Sequence, residues 1–396
     1  ASGYAVLAGR NVANISSSAT NEALISARLG KVALGGGRDF TIDFAGNGLV
    51  SFLVADPANT AGGNFSNSVS NSGRIVSDGG AILMTVRSAV DIIGNVINNS
   101  GIVQAQTVNN NGGVITLDAG PNGQISIGSS SSGSTSIGGV IDATGSGGVN
   151  GGLVSLTAAA IDINAASKLD VSGESGGTIN LVLPVNGAQP SQAVRAQKIT
   201  IASGAQLFAN AGSNGAGGNI NLRGDLGNSQ SSMRIAGILQ ADGGTNGGDG
   251  GTIDIQAYSI NQTMTASARP KTATSGLAGN INITAASIDV LGTTTTSTGN
   301  TKILASQVQS WLNGGTNVTL RALNQTSATA GAPSLIEGNV MMYAFNNKSG
   351  GPLTKLSLSA SGDVVIASGV NITAQSGLSV VLQSDSNRNG TGIVKL

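Results

Sequence analysis

The stretch DSNRNG (385–390) sets Asp385, Asn387 and Asn389 at alternate positions, followed by Gly390. That spacing is the first half of a calcium loop, in which side-chain oxygens from alternate residues converge on one ion and a glycine allows the turn. A complete loop adds a bidentate Glu at the twelfth position, which here is Leu396, so the set holds one carboxylate and no resident metal is expected. GGTNGGDGG (243–251) approaches the calcium-binding nonapeptide, but its Asp249 is out of register and the motif does not recur in tandem. A flexible corner is expected there.

For catalysis the chain has no His and no Cys, which removes the commonest general base and every thiol nucleophile. An enzyme would have to work with carboxylates, Lys, Tyr or Ser. Asp118, Asp142, Asp162, Asp170 and Asp254 all fall within strand-like stretches but are spread along the chain. Lys168 and Asp170, two apart, share a face and read as a surface ion pair. No catalytic or cofactor-binding residue is assigned, and the chain is expected not to be an enzyme. Ten Asn-x-Ser/Thr sequons occur, about as many as this Asn, Ser and Thr content supplies by chance. Asn282, Asn317 and Asn371 are the candidate glycosylation positions, with Asn261 a further one.

These residues sit in an unusual composition: 396 residues with 61 Gly, 39% hydrophobic, 3% aromatic and 10% charged. Ordinary globular chains carry roughly 25% charged residues. Nineteen basic and nineteen acidic side chains balance, without the basic runs that would mark nucleic acid or an anionic membrane as partner. Val, Ile and Leu are too plentiful for a disordered chain. No stretch reaches the roughly 18 consecutive apolar residues of a spanning helix, and Ala1 opens directly into strand-like sequence without a signal-peptide pattern. A soluble, mature fragment is expected.

One six-residue shape recurs: GGVITL at 112, GGLVSL at 151, GGTINL at 176, GGNINL at 217, GGTIDI at 250 and AGNINI at 278, in steps of 25 to 41 residues. Its apolar positions, such as Ile253 and Ile255, alternate with polar ones, such as Asp254, which places one set inward and the other outward on a β-strand. Further short strands follow each, as in KITIA (198–202) then AQLFANAG (205–212). A period of this size marks a solenoid, propeller or array. Strands of four to six residues, three per unit, favour a right-handed parallel β-helix over four-stranded blades. Gly, Asn and Ser are expected in left-handed conformations at its corners. Scarce aromatics suit a narrow aliphatic core, with Phe208 a candidate exception.

The whole chain, 1–396, therefore reads as one elongated all-β domain. Residues 184–197 and 256–277 contain Pro and lack alternation, which predicts loop excursions. In ILASQVQSWLNGG (303–315), Leu304, Val308, Trp311 and Leu312 fall at helical spacing and predict a short helix near 303–313, capped at Asn313-Gly314.

ARLGKVALGGGRDFTIDFAGNGLVSFLV (27–54), GRIVSDGGAILMTVRSA (73–89) and INNSGIVQAQTVNNNGGVITL (97–117) resemble filamentous-haemagglutinin-like exoproteins of two-partner secretion in Gram-negative bacteria. The likeness is closest over 1–120, and QVQSWLNGGTNVTL (307–320) and GDVVIASGVNITAQSGLSVVL (362–382) look like later repeats of that family. The resemblance implies a right-handed β-helix, an outer-membrane secretion transporter as partner, and display at or release from the bacterial outer surface. The family's Asn-Pro-Asn secretion motif is missing from this sequence. Read this way, the chain is a secreted or cell-surface structural adhesin, mediating attachment to a host-cell, glycan or surface receptor or forming a surface filament. The alternatives are a self-stacking fibre subunit and a polysaccharide-active enzyme; no nucleic-acid partner is expected.

Overall fold

The computed structural model describes residues 3–17, 22–37, 39–43, 51–55, 68–86, 96–109, 111–129, 137–184, 197–271, 276–293, 299–323, 338–346, 348, 352–373, 377–386 and 392–396. Among these the chain is almost entirely β, with a single helix at Ala305–Asn313. That helix is not long and apolar enough to cross a membrane.

The apolar pairs of the recurring shape point inward and stack. Ile179, Ile220, Ile253, Ile281, Val318 and Leu356 occupy one row in parallel register, and Leu181, Leu222, Ile255, Ile283, Leu320 and Leu358 another; all are fully buried. Such rows join a core cluster that includes residues from Val12 to Ile366. Each buried aliphatic side chain contributes about 1.5–3 kcal/mol, and stacking like on like lets a narrow interior fill without rings. Phe208 lies outside this core, half-buried on the outer surface with the Lys168 ammonium 5.5 Å from its ring centroid.

A parallel β-helix with three short strands in every coil is not what forms. Among the described residues the strands instead join one 23-stranded sheet, sixteen parallel strands of which curl around an axis into a nearly closed, barrel-like wall, beside a separate eight-stranded sheet. Two findings account for the difference. First, Val114–Ile127 and Leu153–Ile163 run through the bend as single strands of 14 and 11 residues, where two short ones were expected. Small residues at the bend, Ala119, Gly120 and Gly123 on one and Ala158 and Ala160 on the other, let ladder pairing continue across register shifts at Asp118/Gly120 and Gly120/Gln124. Second, strand order departs from chain order: Thr301–Leu304 pairs on one side with Ser259–Gln262 and on the other with Ile288–Leu291, slipping between two segments that precede it.

Among the described residues, 256–271 do not form a loop excursion. They hold the end of the strand Thr252–Gln256 and the strands Ser259–Gln262 and Thr265–Ser267, which pair with Ser231–Ile235 and Ile238–Gln240. Residues 185–196 of the other predicted excursion lie outside the described residues; at its base the Gln197 side-chain amide donates to the Pro184 carbonyl. The helix begins at Ala305, because Ile303 and Leu304 belong to the preceding strand, and it buries Val308, Trp311 and Leu312. Its left-handed closing residue is Gly315, at φ +86°, whereas Gly314 is right-handed at φ −70°. Asp39–Asp43 and Ser51–Ala55 pair antiparallel, a departure from the all-parallel arrangement that the repeat predicts.

The paired glycines follow a different logic from the one expected. None of Gly152, Gly177, Gly218, Gly251 and Gly279 has positive φ. Each instead lies against the turn before it: a Cβ on Gly177 would come 2.1 Å from the Gly152 carbonyl oxygen, one on Gly218 2.0 Å from that of Gly177, and one on Gly251 2.1 Å from that of Gly218. Those carbonyls accept the amides that open the next strands, Thr178, Asn219 and Thr252, at 2.9–3.0 Å. The column is glycine because neighbouring backbones touch there.

Candidate functional site

The polar residues between the inward pairs form outward rows. Ser155, Asn180, Asn221, Asp254, Asn282, Thr319 and Ser357 follow one another through the register, flanked by Val182, Arg223, Gln256, Thr284, Arg321 and Ser359. Parallel neighbours lie about 4.8 Å apart, so short polar side chains bridge from turn to turn. Asn221 Nδ2 donates to Asn180 Oδ1 at 2.9 Å. Arg223 Nη2 meets Asp254 Oδ2 at 2.6 Å, and its Nη1 donates to Gln256 Oε1 at 3.3 Å.

The five acids singled out from sequence are held separately. Asp118 Oδ1 accepts the Gly120 amide at 2.9 Å, Asp162 Oδ2 accepts Gln124 Nε2 at 2.8 Å, and Asp254 takes Arg223. Register sets Asp142 beside Asp170, but Asp142 accepts from Gln106 Nε2 at 2.7 Å and from the Thr144 hydroxyl at 2.7 Å. Asp170 pairs with Lys168 at 2.7 Å and accepts the Ser172 amide at 2.9 Å. Among the described residues no three or more acids, His or Cys gather to hold a metal. Asp385 has a left-handed backbone, φ 48°, while Asn387 and Asn389 lie outside the described residues.

The three candidate sequons differ in availability. Asn317 is committed: its Nδ2 donates to the Ala278 carbonyl at 3.2 Å and to Asn280 Oδ1 at 3.3 Å, and its Oδ1 accepts the Lys355 amide at 2.9 Å. Asn282 is half-buried in the outward row, and Asn371 is exposed.

A groove of about 590 Å³ opens over the bent part of the main sheet, lined by Asn98, Ser100, Gln124, Ser126, Asp162 and Asn164, with Gly128 and Ser129 completing its wall. Asn98, Ser126 and Asp162 come from three adjacent turns in one register row. Asn164 Nδ2 is anchored to the Ser126 hydroxyl at 3.1 Å and to the Gly128 carbonyl at 3.0 Å, which turns its Oδ1 outward. Of these residues only Asp162 was noticed in the sequence, because their grouping depends on register across segments 28 to 38 residues apart.

A second arrangement escaped the sequence reading. Asn14 Nδ2 donates to Asn71 Oδ1 at 2.8 Å and Asn71 Nδ2 to Asn99 Oδ1 at 2.8 Å, all three buried. The row continues as Ile127, Ile163, Ile201 and Ile235 and ends at Gln262. Its signal was the repeated Asn-Ser-Gly at 71–73 and 99–101. Compared with known proteins, the chain matches no family model and no curated sequence.

Proposed function

We propose that the chain is a non-enzymatic structural adhesin of the bacterial outer surface, displayed there or secreted, whose outward polar rows are its contact surface. One observation carries the reading: small uncharged polar side chains repeat at fixed spacing over the sheet's outer face, while each candidate acid is occupied by its own local partner. Regular rows of this kind suit extended, multivalent contact better than chemistry at one point. The resemblance to filamentous-haemagglutinin-like exoproteins, carried by 27–54, 73–89 and 97–117, supports the same reading and adds an outer-membrane transporter as export partner.

Immunolabelling of intact and permeabilised producing cells, together with attachment assays on a strain lacking the protein, tests this. Label on intact cells and reduced attachment are expected. Label confined to permeabilised cells, with attachment unchanged, overturns the reading.

A further inference from the structure

We propose that the groove over the bent sheet binds a neutral, hydroxyl-rich saccharide, with Asn98 and Asp162 as its principal hydrogen-bonding residues. Two kinds of group meet there. Some are tied down and hold the shape: Asn164 Nδ2 on Ser126 and Gly128, and Gln124 Nε2 on Asp162 Oδ2 at 2.8 Å. Others have no protein partner among the described residues: the whole Asn98 amide, the Ser100 and Ser129 hydroxyls, Gln124 Oε1, Asp162 Oδ1 and Asn164 Oδ1. The tethers hold Gln124, Asp162 and Asn164 in place with one acceptor oxygen left on each, while the Asn98 amide and the two hydroxyls are free to turn toward a ligand.

The mixture selects the ligand class. A sugar hydroxyl donates and accepts at once, which matches an amide and two hydroxyls beside three fixed acceptor oxygens. An anion would face Asp162, the only charge in the lining among the described residues. A calcium ion would want six to eight oxygens with several carboxylates, and one half-committed carboxylate does not supply them. A peptide would need apolar side chains to anchor it, and the groove wall presents amides, hydroxyls and one carboxylate. Asn98, Ser126 and Asp162 repeat at about 4.8 Å across three turns, a span that a short run of pyranose rings can follow. Without an aromatic ring to stack on, one site binds at about 1 mM, and many copies on a surface raise this by avidity. The proposal does not depend on where the protein resides.

The test uses the purified chain, with neutral gluco-, galacto- and manno-hexaoses as probes and hexagalacturonate as the anionic comparison, read by saturation-transfer NMR and calorimetry. At least one neutral hexaose is expected to bind in the millimolar range. Asn98→Ala and Asp162→Ala should each weaken it by about tenfold, while Asn371→Ala, exposed and outside both the groove lining and the outward rows, leaves it unchanged. Circular-dichroism melts establish that the variants are folded; should Asp162→Ala unfold, Asn98→Ala decides alone, since its exposed side chain holds nothing in place. Binding of no neutral hexaose at millimolar concentration, tighter binding of hexagalacturonate, or unchanged binding by folded Asn98→Ala overturns the proposal. Failure here leaves the surface-display reading standing, because immunolabelling does not read the groove.

Discussion

Arg223 and Asp254 come from segments 31 residues apart, yet the Arg223 guanidinium lies 2.6 Å from the Asp254 carboxylate across neighbouring parallel strands. Read from sequence, Asp254 is a solvated outer residue whose loss is nearly neutral. The pair changes that by a small amount, since its side chains are 41% and 22% exposed and such pairs contribute about 0.2–1 kcal/mol. Asp254→Asn is expected to lower stability within that range, and a double-mutant cycle with Arg223→Gln should recover the coupling. Coupling that persists undiminished in 1 M salt would show that the contact is not electrostatic.

Ile253, one residue earlier, faces the fully buried core. Ile253→Asp places a carboxylate with no partner among stacked Ile220 and Ile281, and a loss of about 3–5 kcal/mol is expected. Chemical denaturation measures it directly. A cost below that of Asp254→Asn would reverse the assignment of inward and outward faces.

The glycine column gives a matched pair. Gly218→Ala would bring a Cβ 2.0 Å from the Gly177 carbonyl oxygen, which also accepts the Asn219 amide. The backbones must part, at roughly 2–4 kcal/mol. Gly112→Ala meets nothing within 4 Å and is expected to lie within about 0.5 kcal/mol of the parent. Thermal melts that rank the two equally would mean that corner flexibility, and not close approach, is what selects glycine.

Asn71 donates to Asn99 and accepts from Asn14 inside the wall. Asn71→Ala leaves the buried Asn99 Oδ1 without its donor, while Asn14 Nδ2 keeps the Ala23 and Arg74 carbonyls at 3.2 and 3.4 Å, and a loss of about 1–3 kcal/mol is expected. Amide hydrogen exchange around 12–14 and 97–99 should quicken in the variant. Unchanged exchange in those segments would count against a stabilising role for the row.

The inward faces were legible because period-two alternation is local: Ile179 and Leu181, or Ile253 and Ile255, announce their side from six residues of sequence. Neighbours across the sheet are set by register, which depends on the lengths of segments between strands, and this is where the reading fell short. Strands of four to six residues are expected from the repeat, whereas small residues carry Val114–Ile127 and Leu153–Ile163 through the bend as single strands. The Arg223–Asp254 pair and the groove of Asn98, Gln124 and Asp162 arise the same way. The paired glycines were seen as corners but assigned to the wrong cause, since a sequence shows no distance to the carbonyl of the previous turn.

The insertion of Thr301–Leu304 between Ser259–Gln262 and Ile288–Leu291 sets an order of events in folding. Elsewhere a strand can zip onto the turn already laid down, so structure can spread along the chain as it emerges. At this point the edge of Ser259–Gln262 must stay open while about 40 later residues pass, and Ile288–Leu291 cannot pair with its neighbour until that neighbour has been made. Among the described strands the growing wall therefore has one checkpoint, located at the segment that leads into its only described helix, and the turns beyond it dock on a surface completed out of sequence.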